Sequence, residues 1–221
     1  MKKKVMKEST AWQIGAHTVM IIGSLLAILP FILLVIASFT DNQTALVNGY
    51  SFTPEKWSLE AYQYIASEWA TIGRAYLMTI LVTVIGTALS LVITSTFAFA
   101  VSNDKLPGHK ILMFLCIFTM LFNGGLVASY YVYSNIFHIK NTIWALIVPT
   151  FLMSPFNVVL VKNYFSNSIS PSILEAARMD GAGVFAVFTK IVMPLSVPIM
   201  ATVGLMTAIS YWNDWTNGLY Y

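Results

Sequence analysis

The chain has 221 residues, 57% of them apolar and 10% charged, with a mean hydropathy of +0.73. Soluble domains carry about 25% charge, so the composition excludes an ordinary soluble enzyme, and its hydrophobicity excludes a disordered chain. A formal charge of +3 argues against nucleic acid as a partner. These exclusions leave an all-α integral membrane protein with lipid around it.

A helix crossing the hydrocarbon core needs roughly 20 mostly apolar residues and satisfies its own backbone. Five stretches lack Asp, Glu, Lys and Arg: Ser9–Thr40, Ala75–Asn103, Ile111–Ile139, Asn141–Val161 and Ile191–Asn213. Their apolar centres predict helices near 17–39, 76–101, 111–132, 142–162 and 195–213. The first follows Lys2, Lys3, Lys4 and Lys7, as a secretory signal would, but the apolar run Val19–Ala37 exceeds the usual signal core of about 7–15 residues. Retention as a first span is expected, behind an N-terminal arm over 1–16.

Basic residues set the orientation. With the N-terminus in the cytoplasm, Lys2, Lys3, Lys4, Lys7, Lys105, Lys110, Lys162, Arg178 and Lys190 face inward, and Lys56, Arg74 and Lys140 face outward. The opposite orientation reverses that bias. Residues 40–75 then form an external loop, in which Trp57–Ile65 reads as a short interfacial helix capped by Ser58. The core transmembrane part is 76–221, and its cytoplasmic loop is 163–194.

That loop carries the sharpest signal. Ser170–Pro171 is one good helix start; Ser172 with Glu175 offers a competing capping box. The helix is expected to run to about Met179 and to end at Asp180–Gly181, where glycine accepts the left-handed conformation. A second short helix should cover about Val184–Ile191, and Pro194 marks the entry into the last span. On the residues alone, a docking surface for another protein and an amphipathic loop lying on the membrane stand about level.

Glu175-Ala176-Ala177, three residues, Gly181, nine residues and Ile191-Val192-Met193-Pro194 resemble the EAA loop of ATP-binding-cassette importer permeases. Only Met193 departs from that pattern, where leucine is usual. Phe122-Asn123-Gly124-Gly125, Asn141–Leu146 and Tyr211-Trp212-Asn213-Asp214-Trp215 are similar to the MalG-like carbohydrate permeases of that superfamily, in the branch handling complex polysaccharides. The similarity covers about residue 10 onward.

The resemblance implies a MetI-like, type I importer fold. It implies that Glu175, Ala176, Ala177, Asp180, Gly181, Ile191 and Pro194 couple the chain to an ATPase. Glu175 would be the polar anchor, the alanines the close-packing surface, and Gly181 the turn. It further implies a second permease subunit, an ATPase dimer that holds ATP and Mg, and an extracytoplasmic solute-binding protein. No cofactor is expected in this chain, which has no phosphate loop, and the expected role is transport without catalysis. The family has six spans against five counted here, so a sixth is expected to be missing. Rival readings are a permease for an amino acid or peptide, and a truncated inactive copy.

Within the spans, Thr79, Thr83, Thr87, Ser90 and Thr94 share one helical face, which fits helix packing better than a hydroxyl-lined path. Gly204 and Ala208 read as a packing pair. Asn123, Tyr130, Asn157 and Trp212 are the candidate solute-pathway residues, because amides serve sugar hydroxyls and aromatics serve sugar faces. The competing role for the two amides is to satisfy broken backbone near Gly124–Gly125 and Ser154–Pro155. Cys116, the single cysteine, lies in an apolar run and reads as a buried, inert thiol. His17, His109 and His138 have no metal-ligand spacing, and no acid lies inside a span to relay protons.

Overall fold

The computed structural model describes residues 10–104 and 106–221, with the backbone alone for Thr10 and Ala11. Lys2, Lys3, Lys4, Lys7 and Lys105, which the orientation argument uses, lie outside the described residues. Contacts divide the chain into two compact units, one up to Arg74 and one from Ala75 onward.

In the first unit, α1 (Thr10–Ser38) contains an apolar stretch, Trp12–Ser38, long enough to cross a membrane. Its side chains are exposed on nearly every face, as suits a helix surrounded by lipid or partner helices. Hydroxyls on it bond back to its own carbonyls, Thr18 to Ile14 O and Ser38 to Val35 O.

The segment after α1 is folded tightly. Asp41 caps α2 (Asn42–Asn48) by accepting from Thr44 N, and it receives Lys56 Nζ at 2.8 Å. An antiparallel bridge joins Thr40 to Trp57, with Asp41 N donating to Lys56 O and Ser58 N to Phe39 O. The expected helix at Trp57–Ile65 is α3, Glu60–Ser67. It starts later because Trp57 is held in the bridge, and Ser58 Oγ accepts from Glu60 N at 3.0 Å. Tyr62 ties α3 to the end of α1 through Ser38 Oγ at 2.8 Å and the Phe39 ring.

The helix α4 (Trp69–Ser102) begins in the first unit and continues into the second, starting ahead of the predicted 76. At 34 residues it is about 51 Å long. Its buried face is the stripe Val82, Gly86, Ser90, Thr94, Ala98 and Val101. The helix α12 (Val197–Trp212), close to the predicted 195–213, lies antiparallel against that face. The Tyr211 ring rests on Gly86, where an added Cβ would come within 2.5 Å of it. A Cβ on Gly204 would meet Leu91 at 3.3 Å.

The predicted helix 111–132 is not continuous. It is α5 (His109–Leu121) and α6 (Gly125–Tyr131), the latter running into a π turn at Val132–Ile136, with the two pieces bent by 119°. The break falls at Asn123–Gly125, where Gly125 has φ +79 and Asn123 Oδ1 accepts from Gly125 N.

The predicted helix 142–162 is also corrected. The structure has α7 (Trp144–Ile147), an irregular stretch, and α8 (Pro155–Ser168). Pro149 and Pro155 each lack a backbone donor and disfavour helix in the residue before them. Side chains from the end of the chain cover the exposed carbonyls. Tyr211 OH donates to Ile147 O at 2.8 Å, and Asn217 of α13 (Thr216–Tyr220) donates to Pro149 O at 3.4 Å.

Two outcomes follow from these contacts. Lys56 donates to Asp41 and holds its carboxyl below its ordinary 3.8. The folded form therefore binds that proton less readily than the unfolded one, and the pair's stabilisation is present above pH 3.8 and lost as pH falls through the lowered value. Amide exchange across residues 41–58, corrected for intrinsic rates, should be modestly better protected at neutral pH than in acid, as fits an exposed pair. Asp41→Asn should remove that difference. Gly86→Ala should push the Tyr211 ring off Ile147 O and destabilise the chain by about 1–3 kcal/mol, read as a lower melting temperature in detergent.

Candidate functional site

The loop between α8 and α12 folds as two short helices about a glycine turn. Of the two competing starts, the structure takes Ser170–Pro171: α9 spans Pro171–Met179 with Pro171 in its first turn. Ser172 Oγ pairs with Ser170 Oγ at 2.8 Å, and no capping box forms. At the other end Gly181 has φ +81. Gly181 N donates to Arg178 O and Ala182 N to Ala177 O, which are the paired bonds of a Schellman cap.

The second helix is shorter than the predicted Val184–Ile191. α10 (Val184–Val187) passes into a π turn at Phe188–Val192 and then α11 (Met193–Leu195). Met193 N reaches back five residues to Phe188 O. Pro194 has no N–H for the carbonyl of Lys190, so the regular ladder fails there.

The helix period sorts the predicted coupling residues. Leu174 and Ala177, three apart, turn inward. Ala177 is buried in a core that includes Phe165, Ile169, Val187, Val192 and Val203. The resemblance implied a partner-facing Ala177; in the chain by itself its side chain packs into the loop's own interior. Ala176, Asp180 and Gly181 are exposed, as are Glu175 and Pro194, and Ile191 is half-buried. Glu175 and Arg178 share a groove of about 250 Å³ with Asp104 and Phe99.

Sequence reasoning missed the largest apolar groups on the outer face. Met179 is 88% exposed, Phe185 79% and Val184 72%. Their signal was position, since they flank the glycine turn of a loop. Cys116 is free and buried, and its neighbours in the core include Ala98 and Val158.

The four pathway candidates fall in different places. Asn157 of α8 is buried and donates through Nδ2 to Thr207 Oγ1 of α12 at 3.2 Å. Both line a cavity of about 450 Å³ with Thr150, Ser154, Ser210, Phe151 and Phe156. Its polar groups are neutral amide and hydroxyls beside aromatic rings, which suits an uncharged, hydroxyl-bearing solute. Trp212 lines a separate cavity of about 220 Å³ with Thr83 and Asn213. Asn123 bonds Gly125 N at the helix break. Tyr130 accepts from Lys140 Nζ and stacks on Tyr221. Thr207 had escaped notice; it shares a buried face with Val203 and Tyr211 at steps of four.

Along α4, Thr79 Oγ1 bonds Ala75 O, whereas the hydroxyls of Thr83, Thr87, Ser90 and Thr94 are buried with no partner among the described residues. His109 Nδ1 lies 2.9 Å from Leu106 O, a loop role. Among the described residues no group of His, Cys, Asp and Glu could hold a metal ion.

These features define an all-helical membrane permease with a helix–turn–helix loop and a neutral polar cavity. Residues 91–218 match the family described as binding-protein-dependent transport system inner membrane component, and the chain belongs to it. It is a transport component and not an enzyme.

Among its relatives is the polygalacturonan/rhamnogalacturonan transport system permease protein YtcP of Bacillus subtilis (strain 168). That protein is 39% identical over 198 residues, which are 90% of this chain and 68% of the relative. Protein LplC of the same organism is 35% identical over 89% of this chain and 65% of its own length. A chain in the crystal structure of a bacterial ABC transporter involved in the import of the acidic polysaccharide alginate superposes with a TM-score of 0.78. It is 31% identical, with 92% of this chain and 71% of that chain covered. The chain thus spans about two thirds of the length of these relatives.

The inward placement of Ala177 separates it from its neighbour. Ala177→Glu should bury an unpaired charge and destabilise the chain by about 3 kcal/mol or more. Ala176→Glu should change stability by no more than about 0.5 kcal/mol. Melting of the two purified variants in detergent checks the difference.

Proposed function

We propose that the chain is a permease subunit of an ATP-driven importer of oligo- or polysaccharide-derived sugars. The carrying observation is the loop surface on which Ala176, Met179, Val184 and Phe185 stand exposed about a capped glycine turn. Exposed apolar groups gathered on a rigid turn fit a cleft on another protein. That protein is an ATPase subunit, which binds ATP and Mg and hydrolyses the nucleotide.

In this reading the N-terminus and the loop 163–194 face the cytoplasm, in the bacterial inner membrane. Closure of the ATPase dimer moves the loop. Ala177 joins α9 to the core that also holds Ala98 of α4, Val161 of α8 and Val203 of α12. The displacement therefore reaches those helices as a rigid-body shift that alternates access between the two sides. A second permease subunit completes the pathway, and an extracytoplasmic binding protein delivers the solute. Asn157 and Thr207 meet the solute's hydroxyls in the α8–α12 cavity. The sugar assignment is supported by that cavity's amide, hydroxyl and aromatic lining and by relatives that carry polysaccharides, the alginate of one of them being acidic.

The test is made on the assembled importer in proteoliposomes. Phe185→Asp should abolish copurification of the ATPase while the chain still inserts and melts normally. Asn157→Ala should raise KM for sugar uptake by roughly tenfold, as expected for a lost buried hydrogen bond. Normal ATPase capture by Phe185→Asp would remove the docking assignment, and an unchanged KM would remove Asn157 from the pathway.

A further inference from the structure

Residues 41–68 hold four acids, Asp41, Glu55, Glu60 and Glu68, against one base, Lys56, a formal charge of −3 in a chain that is +3 overall. They follow directly on α1, whose apolar stretch of 27 residues is about 40 Å long. That is the thickness of a bilayer with its headgroup layers, so the last turn of α1 lies at headgroup level. A half-open pocket of about 400 Å³ sits there, lined by Ala37 and Thr40 and by Asn42, Tyr50, Glu60 and Tyr64. Glu55 is engaged by Asn48, and Asp41 by Lys56. Lys56 is attracted by both Asp41 and Glu60, by Asp41 more strongly, and among the described residues its salt bridge is with Asp41 alone. Asp41, Lys56 and Glu60 together therefore keep one excess negative charge. The side chains of Asn42, Tyr50, Glu60 and Tyr64 make no hydrogen bond among the described residues.

We propose that this pocket holds the ammonium headgroup of a membrane lipid, of phosphatidylethanolamine chemistry, with the acyl chains lying along α1. A primary ammonium donates to the Glu60 carboxylate and supplies the positive charge that Lys56 leaves wanting. The rings of Tyr50 and Tyr64 add cation–π attraction, and the Asn42 amide donates to the neighbouring phosphodiester. A half-open pocket suits a headgroup, whose tails must stay outside, and α1 offers those tails Phe31, Leu34 and Val35, all exposed. That apolar track beside a charged pocket favours a lipid over a free amine. A lipid of net negative charge is repelled by the acidic segment. The Thr40–Trp57 bridge and the Asp41–Lys56 pair fix the segment before binding, so little ordering accompanies it. The site stands independently of the transport reading.

The experiment counts lipids bound to the full chain in detergent by native mass spectrometry. The probes are dioleoyl phosphatidylethanolamine, phosphatidylcholine and phosphatidylglycerol, which share their tails, and glycerophosphoethanolamine, the soluble headgroup. Phosphatidylethanolamine should bind roughly tenfold tighter than phosphatidylcholine, which has no N–H for Glu60, and than phosphatidylglycerol, which has no cation. Glu60→Gln and Tyr64→Leu should each weaken phosphatidylethanolamine by roughly tenfold. Gln63→Ala, on the same helix and outside the pocket lining, should have no effect. Amide exchange over 41–58 verifies that each variant keeps the segment folded. Equal binding of the three lipids, or unchanged affinity in either pocket variant, would overturn the site. Glycerophosphoethanolamine binding as tightly as the lipid would overturn the lipid assignment in favour of a free amine.

Discussion

Inside a membrane a backbone carbonyl or amide has no water to turn to, and each unbonded group costs several kcal/mol. The two long helices α1 and α4 meet that constraint within themselves. The rest of the chain does not, because it breaks at Asn123–Gly125, at 148–154 and at Ser196. Each of the first two breaks has a local remedy: Asn123 Oδ1 on Gly125 N, and Tyr211 OH and the Asn217 amide on the carbonyls of Ile147 and Pro149. The tyrosine bond is the most demanding, since the ring occupies space that any side chain at position 86 would fill. One glycine, one hydroxyl and one proline-interrupted turn thus join α4, α7 and α12 into a unit.

The same logic explains how a nine-residue helix can hold a fixed exposed face. A helix so short is marginal alone. α9 is held by the Schellman bonds at Gly181 and by Ala177 in the core shared with Val187, Val192 and Val203. Its outer residues are then presented on a fixed frame, so a displacement at Met179 or Phe185 is passed on by close-packed contacts. The segment after α1 shows the principle on a smaller scale. Asp41 caps a helix, accepts Lys56 and sits in the bridge, and its removal would loosen all three.

Much of the loop over 163–194 was legible because its signals are local. Ser170–Pro171, Gly181 and Pro194 act on their own backbone, and the helix end at Met179 and the turn follow from them. The inward turn of Ala177 was not legible, although the step from Leu174 carried it, since a small residue suits either a core or a partner's surface. The π turn at Phe188–Val192 was hidden for another reason. Proline announces a missing donor but not how the preceding turns rearrange around it. In the candidate pathway, Asn157 was identified by the cost of a lone amide in an apolar run, whereas Thr207 became visible only as the atom 3.2 Å away.

The sequence by itself determined the helical membrane class, the end of α1 but not its start at Thr10 ahead of the predicted 17, the near-coincidence of α12 with its predicted range and the turn chemistry of the loop. Those follow from composition and from the conformational limits of glycine and proline, which need no distant partner. Only the tertiary structure decided that 111–132 and 142–162 are broken, that Gly86 is a seat for Tyr211, and that Asn123, Tyr130, Asn157 and Trp212 fall in separate places. A polar or flexible residue in an apolar run must satisfy its hydrogen bonds, but which group answers it depends on contacts 50 to 68 residues away in the chain.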